Sequence, residues 1–309
     1  MKQIELTGIR FRYKNATEDA LSGVTFTIPS GQCFGLLGPN GAGKTTVMRL
    51  LCGDLPPTGG SIQFGGSPMH GNDPQVRRQI GVVPQDIAVY AELTGEENLR
   101  FWGKLYGVTG TDLNERVNEM LARIGLEQRR HDRVETYSGG MKRRLNFGCG
   151  ILHRPQVVLL DEPTVGVDPQ SRNHLFELVE GLIHDGITVL YSTHYMEEAE
   201  RLCSRIAVID HGKVLAVGTR DELLVQRNLP TKLTIRFHSP QAAETAKVSS
   251  LQNFGNTETI DADLHITLAK PLPETIAALS DIPYESLQIY RPTLETLFLD
   301  LTGRTLREE

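Results

Sequence analysis

Up to about residue 227 the chain alternates short apolar runs with longer stretches whose apolar residues recur every three or four positions. The runs CFGLLG (33–38), IGVV (80–83), VVLLD (157–161), TVLYS (188–192) and RIAVID (205–210) are apolar at consecutive positions, as strands buried on both faces are. Between them Leu113, Val117, Met120, Leu121 and Ile124 keep helical spacing, which predicts a helix over 112–126 with Thr111 or Asp112 as its N-cap. Buried strands alternating with helices predict an α/β layered domain with a largely parallel sheet. The first segment differs: IELTGIRFRY, LSGVTFTI and GSIQFGG alternate apolar with polar and are punctuated by turns, which predicts an antiparallel layer on the same core.

After DELLVQRNLPT the texture changes. KLTIRFH (232–238), TETI (257–260), DLHITLA (263–269) and YESLQIY (284–290) alternate as half-buried strands, separated by helical stretches at 240–251 and 273–281. The order strand, helix, strand, strand, helix, strand predicts a small α+β ferredoxin-like domain over 228–309, ending in the helix LETLFLDLTG.

The 309 residues suffice for one large domain and one small one, each with its own core. A net charge of −6 speaks against nucleic acid as the partner, because phosphate backbones call for clustered cations. The basic runs Lys142–Arg144 and Arg129–Arg130 are expected to be solvated helix faces. Cys33, Cys52, Cys149 and Cys203 lack metal-ligand spacing, which fits a reducing compartment and makes a zinc site unexpected. The opening MKQIELTGIRF has no signal-type apolar core, and no apolar run approaches the about 18 residues that span a bilayer. The expectation is a soluble chain on the cytoplasmic side.

Chemistry enters with GPNGAGKTT (38–46), a GxxxxGK[ST] pattern between a strand and a helix. Gly38, Gly41 and Gly43 let the backbone curl so that its N–H groups face phosphate oxygens. Lys44 supplies a charge to the β- and γ-phosphates, and Thr45 a hydroxyl for Mg²⁺. Pro39, Asn40, Ala42 and Thr46 complete the expected nucleotide-binding set. VVLLDEP (157–163) ends a buried strand with two carboxylates. Asp161 is suited to hold Mg²⁺ through its waters, and Glu162 to polarise an attacking water. These groups predict a nucleotide hydrolase.

The combination GPNGAGKT, YSGGM (137–141), VVLLDEPTVGVD (157–168) and TH (193–194) resembles the ATP-binding-cassette ATPases, the motor subunits of membrane transporters. The resemblance covers roughly residues 1–227, and implies a P-loop cassette: a parallel-sheet core, an antiparallel β layer and a helical subdomain at about 86–155. It implies that Tyr13 stacks on adenine, that Gln85 contacts Mg²⁺ and water, and that Asp168 is the D-loop aspartate. His194 would be the switch residue on the γ-phosphate. Ser138, Gly139 and Gly140 would meet the γ-phosphate of ATP held by a second copy, so the turn should touch nothing in its own chain. YSGGM departs from the common LSGGQ while keeping the serine and both glycines, and VGVD departs from the usual D-loop while keeping Asp168. With the tail YRPTLETLFLDLTGR (290–304), YSGGM is similar to the drug-exporter branch resembling daunorubicin-resistance ATPases.

The implied function is the ATPase subunit of an exporter, peripheral at the inner face of the membrane. Two copies, as a homodimer or pseudo-dimer, would sandwich two MgATP and drive a permease on a separate chain, with no role for nucleic acid. The alternative is a soluble machine of the same type in DNA repair or translation. Residues 46–134 lack the sustained heptads of the repair members, and the chain carries one cassette where translation members usually carry two. Phe101, Trp102 and Tyr106 suit core packing or the wall of a groove for a membrane subunit's helix, with Glu92 near such a groove. His153, His174 and His211 are given no functional role.

Overall fold

Along β7 (Val157–Asp161), Val158 and Leu160 enter one apolar cluster while Val157 and Leu159 enter another. A strand covered on both faces needs an unbroken apolar run, because every side chain has a core to fill. The same division holds in β8 (Thr188–Thr193), where Val189 and Tyr191 face one cluster and Leu190 the other. The computed structural model describes residues 3–69, 74–227, 229–246, 251–269, 272–280 and 282–303. They fall into two compact units, Met1–Arg220 and Asp221–Glu308.

In the first unit, β1 (Ile4–Phe11), β2 (Leu21–Ile28), β4 (Gly59–Phe64) and β5 (Ser67–Pro68) form an antiparallel sheet in the order β2-β1-β4-β5. A six-stranded sheet adds β3 (Cys33–Leu37), β6 (Ile80–Val83), β9 (Arg205–Asp210) and β10 (Lys213–Gly218) to β7 and β8. Its order is β10-β9-β3-β8-β7-β6, parallel except for the β9–β10 hairpin. One cluster joins the antiparallel layer to this sheet through Ile4, Ile9, Phe26, Phe34 and Leu36. Phe26 stacks on Phe34 with centroids 5.2 Å apart. Such buried aromatics contribute several kcal/mol each, about 3–5 on truncation to Ala.

Helices follow in chain order: α1 (Lys44–Leu51), α2 (Pro74–Arg77), α3 (Gly95–Leu105), α4 (Gly110–Arg123), α5 (Gly139–Ile151), α6 (Pro169–His184) and α7 (Met196–Leu202). Leu99 of α3, Leu113, Val117 and Leu121 of α4, and Leu145 and Phe147 of α5 share the second cluster with β7 and β8. A capping box starts α3, with Thr94 accepting from Glu97 N and Glu97 accepting from Thr94 N. Helix α4 begins at Gly110 with Thr109 in the cap position, earlier than the sequence predicts. Asp112 lies inside the first turn, where it pairs with Arg116 at 2.8 Å. The helix closes early because Leu126 N bonds back to Leu121 O at 2.9 Å.

The second unit starts in α8 (Arg220–Gln226), whose first residue ends the first unit. It contains β11 (Lys232–Arg236), α9 (Pro240–Ala246), β12 (Gly255–Ile260), β13 (Asp263–Leu268), α10 (Leu272–Leu279), β14 (Ser286–Tyr290) and α11 (Leu294–Thr302). The strands pair antiparallel in the order β12-β13-β11-β14, the ferredoxin-like arrangement. Leu233, Ile235, Leu264 and Ile266 build its core from alternate positions. Of the predicted helices over 240–251 and 273–281, residues 247–250 and 281 lie outside the described residues. Among the described residues no helix is long and apolar enough to cross a membrane.

Candidate nucleotide site

Strands β3, β8 and β7 are parallel neighbours, so their carboxyl ends lie side by side. Residues 38–43 leave the end of β3, Asp161 and Glu162 the end of β7, and Thr193 and His194 the end of β8. Ligands of open α/β sheets bind outside these ends. Gly43 caps α1 at φ 103°, a left-handed conformation that only glycine adopts readily. The first turn of α1 carries no acidic residue, so its free N–H groups and positive dipole face the loop uncompensated.

Lys44, only 4% exposed, donates from Nζ to Gly38 O at 2.7 Å and to Pro39 O at 2.9 Å. Its third contact is Glu162 Oε1, at 2.9 Å. Glu162 is equally buried, and its other oxygen, Oε2, lies 3.1 Å from His194 Nδ1. The Glu162 backbone sits at φ 44°, an uncommon conformation for a non-glycine residue that aims its side chain across the loop. Two hydrogen bonds hold it there: Glu162 N donates to Ser192 O at 3.2 Å and to Ser192 Oγ at 3.0 Å. Ser192 Oγ in turn donates to Asp161 Oδ1 at 2.6 Å, so one serine orients both carboxylate residues.

A cleft of about 590 Å³ collects Tyr13, Asn40, Gly41, Gly43, Lys44, Thr45, Thr46, Gln85, Glu162 and His194. Tyr13 is 38% exposed and its hydroxyl lies 3.2 Å from Thr46 Oγ1, which leaves a ring face at the rim. Thr45, Gln85 and Asp161 share a neighbouring cavity of about 220 Å³. One carboxylate, one amide and one hydroxyl form an all-oxygen donor set. That set fits Mg²⁺, which keeps several waters and completes its shell from substrate phosphates.

Ser138, Gly139, Gly140 and Asp168 stand outside this cleft's lining and form a second group. Ser138 caps α5, its Oγ accepting from Met141 N at 3.2 Å. Asp168 caps α6, its Oδ1 accepting from Ser171 N at 3.0 Å, which holds its pKa below the usual value. The expectation that the SGG turn touches nothing in its own chain is wrong for one residue. A Cβ on Gly140 would lie 2.0 Å from Ser171 Oγ and 3.3 Å from Asp168 Oδ2, whereas a Cβ on Gly139 would meet nothing within 4 Å. One glycine lets α5 pack on α6; the other is open.

The basic run 142–144 is also corrected. Arg143 is buried at 5% exposure and donates to Gln85 O at 2.5 Å and to Val165 O at 3.1 Å; desolvation pushes its pKa down. Asn146, one turn further along α5, accepts from Ala88 N at 3.0 Å. Together they fix the segment that carries Gln85 to the helix that follows the SGG turn. Sequence reasoning missed both, since their partners lie about 60 residues away. It also missed Ser192 and Glu198, the latter a 2%-exposed carboxylate on α7. Trp102 and Tyr106 line a cavity of about 160 Å³ with Pro84, Ala88 and Asn146, while Phe101 stays 40% exposed, its ring 4.9 Å from that of Tyr90.

A glycine-rich loop, a buried lysine at a helix start and carboxylates at adjacent strand ends define a P-loop nucleotide-binding protein. Residues 21–165 match the family model described as ABC transporter. The chain is 42% identical over 295 residues to a linearmycin resistance ATP-binding protein of Bacillus subtilis, covering 93% of this chain and 95% of that one. It is 38% identical over 310 residues to a daunorubicin/doxorubicin resistance ATP-binding protein of Streptomyces peucetius, covering 98% and 93%. A solved dimeric ATP-binding cassette in a post-hydrolysis state, bound to ADP and Pi, superposes with a TM-score of 0.64 at 25% identity, covering 70% of this chain and 98% of that one. The chain belongs to the ABC transporter family. These relatives lend no support to the repair or translation alternative.

Proposed function

We propose that this chain is the ATP-hydrolysing subunit of an exporter, acting as one of two cassettes at the inner face of a cell membrane. The observation that carries the reading is the chain of contacts from Lys44 through Glu162 to His194 at the floor of a glycine-lined cleft. Tyr13 receives the adenine, the 38–46 loop the phosphates, and Lys44 the β- and γ-phosphate charge. Glu162 accepts a proton from the attacking water, and His194 orients the γ-phosphate. Thr45, Asp161 and Gln85 would hold Mg²⁺, which would supply charge neutralisation at the phosphates.

The SGG turn of Ser138–Gly140 and the D-loop residue Asp168 serve the ATP of a second copy. Two features support this: Gly139 faces open space, and the solved cassette similar to this chain is dimeric. Outward transport is supported by relatives named for resistance to linearmycin and to daunorubicin. The permease is a separate chain, and the aromatic-lined cavity beside Pro84, with exposed Phe101 and Tyr90, is the place where it docks. Residues 1–227 carry the ATPase and 228–309 an accessory domain.

Replacing Glu162 with Gln tests the reading. ATP should stay bound while turnover falls about a hundredfold or more, because only the proton acceptor is lost. Hydrolysis of ATP by this variant at the wild-type rate overturns the assignment.

A further inference from the structure

We propose that Glu198 is a positioning residue that holds the His194 loop and the Glu162 turn in one register. The proposal rests on the reading above, in which those two side chains act on ATP. Glu198 is buried on α7 and lies outside the lining of the nucleotide cleft. Three hydroxyls donate to it: Thr164 to Oε1 at 2.6 Å, and Thr193 and Tyr191 to Oε2 at 2.8 and 3.0 Å. Thr164 follows Glu162 by two residues, and Thr193 immediately precedes His194.

An ionised carboxylate only accepts, so all three hydroxyls must point their protons inward. For Thr193 this leaves a lone pair outward, and that lone pair accepts from Tyr195 N at 2.9 Å. The residues on both sides of His194 are thus fixed by one hydroxyl whose direction Glu198 sets. A carboxylate out of water is costly unless its lone pairs are met, and here the donors are Thr164, in the turn after Glu162, and Tyr191 and Thr193 of β8, the strand that leads into His194. Arg172 of α6, four residues after Asp168, brings its Nε to 4.0 Å from Oε1 and its guanidinium to 5.3 Å from the Tyr195 ring centroid. Helix α6, which begins at the D-loop, therefore faces the same carboxylate. An amide in place of the carboxylate can accept on one oxygen and donate to Thr164, so Gln should retain most of the arrangement. Alanine removes it.

The test uses the full chain with Glu198→Ala, Glu198→Gln and Thr193→Val, the last removing one hydroxyl at nearly constant shape. Melting temperature, affinity for a fluorescent ATP analogue, kcat and KM are measured for each. Glu198→Ala and Thr193→Val should lose about tenfold to a hundredfold in kcat, with KM and affinity within about twofold, since small misplacements of reacting groups have such effects. Glu198→Gln should recover to within about threefold of wild type. A folded Ala or Val variant with wild-type kcat overturns the proposal, as does affinity falling in step with kcat, or Gln performing no better than Ala. If Glu198→Ala does not fold, Thr193→Val decides alone by the same criteria. A wild-type chain that neither binds nor hydrolyses ATP overturns the functional reading and this proposal with it, whereas normal wild-type turnover beside unaltered variants overturns this proposal alone.

Discussion

Two helices of the first unit begin at glycine turns, and they are equipped differently. The start of α1 is surrounded by its own chain: Lys44 is buried, and Glu162, His194 and Tyr13 share its cleft. Its cap, Gly43, offers no side chain to the free N–H groups. The start of α5 has Ser138 to satisfy one N–H, with Ser171 of α6 and its cap Asp168 nearby. One terminus shares a cleft with a buried lysine, a glutamate and a histidine; the other lies outside that cleft and carries the donors of Ser138 and Gly139. The contrast fits the proposed division of the nucleotide site, in which the γ-phosphate end comes from the α5 start of a second copy.

The largest effect that could break this contrast comes from damaging each terminus separately. Lys44→Ala should weaken ATP binding at least about tenfold, as loss of a charge-assisted contact does. Ser138→Arg should leave affinity within about twofold and lower turnover about a hundredfold, because it obstructs only the partner's site. In verified mixed pairs of the two variants, one site regains an intact lysine and an intact serine, and nucleotide trapping should return at one site of two. Mixed pairs that trap nothing would unite the two termini in a single chain's site.

The two glycines of the SGG turn sharpen the contrast at lower amplitude. Gly140→Ala forces a Cβ against Ser171 Oγ and should cost about 1–3 kcal/mol, read as a lower melting temperature. Gly139→Ala meets open space and should change stability by about 0.5 kcal/mol or less. Ser171→Gly combined with Gly140→Ala should recover most of the loss. Equal melting temperatures for the two single variants would refute the packing role of Gly140. The smallest effect is expected from ending the chain at residue 227. Both helices lie before that point, so the shortened protein should bind ATP within about twofold of the full chain, and a truncation that aggregates would tie the accessory domain to the cassette core.

The strands of the parallel sheet were legible because burial on both faces leaves an unbroken apolar run. Helix α5 was not, and its composition explains why. Gly140, Arg143, Asn146, Phe147, Gly148, Cys149 and Gly150 are all buried, so the helix is enclosed around most of its circumference and shows no single apolar stripe. The loop at 38–46 was legible because its glycines, lysine and threonines lie in one consecutive run of residues. The supports behind it were not: Ser192 serves Asp161 from 31 residues away, and Arg143 serves Gln85 from 58. Such partners meet only through the sheet order, which places β8 beside β7, and no local spacing announces them.

Lys44 has three N–H donors, and Gly38 O, Pro39 O and Glu162 already occupy them. An incoming phosphate oxygen therefore enters by exchange rather than by addition. The carboxylate proposed as the proton acceptor is, at the moment of binding, a rival for the same cation. Affinity at this site is then a difference between two anions competing for one ammonium. On the roles proposed above, loading the nucleotide and freeing Glu162 from the lysine are one event.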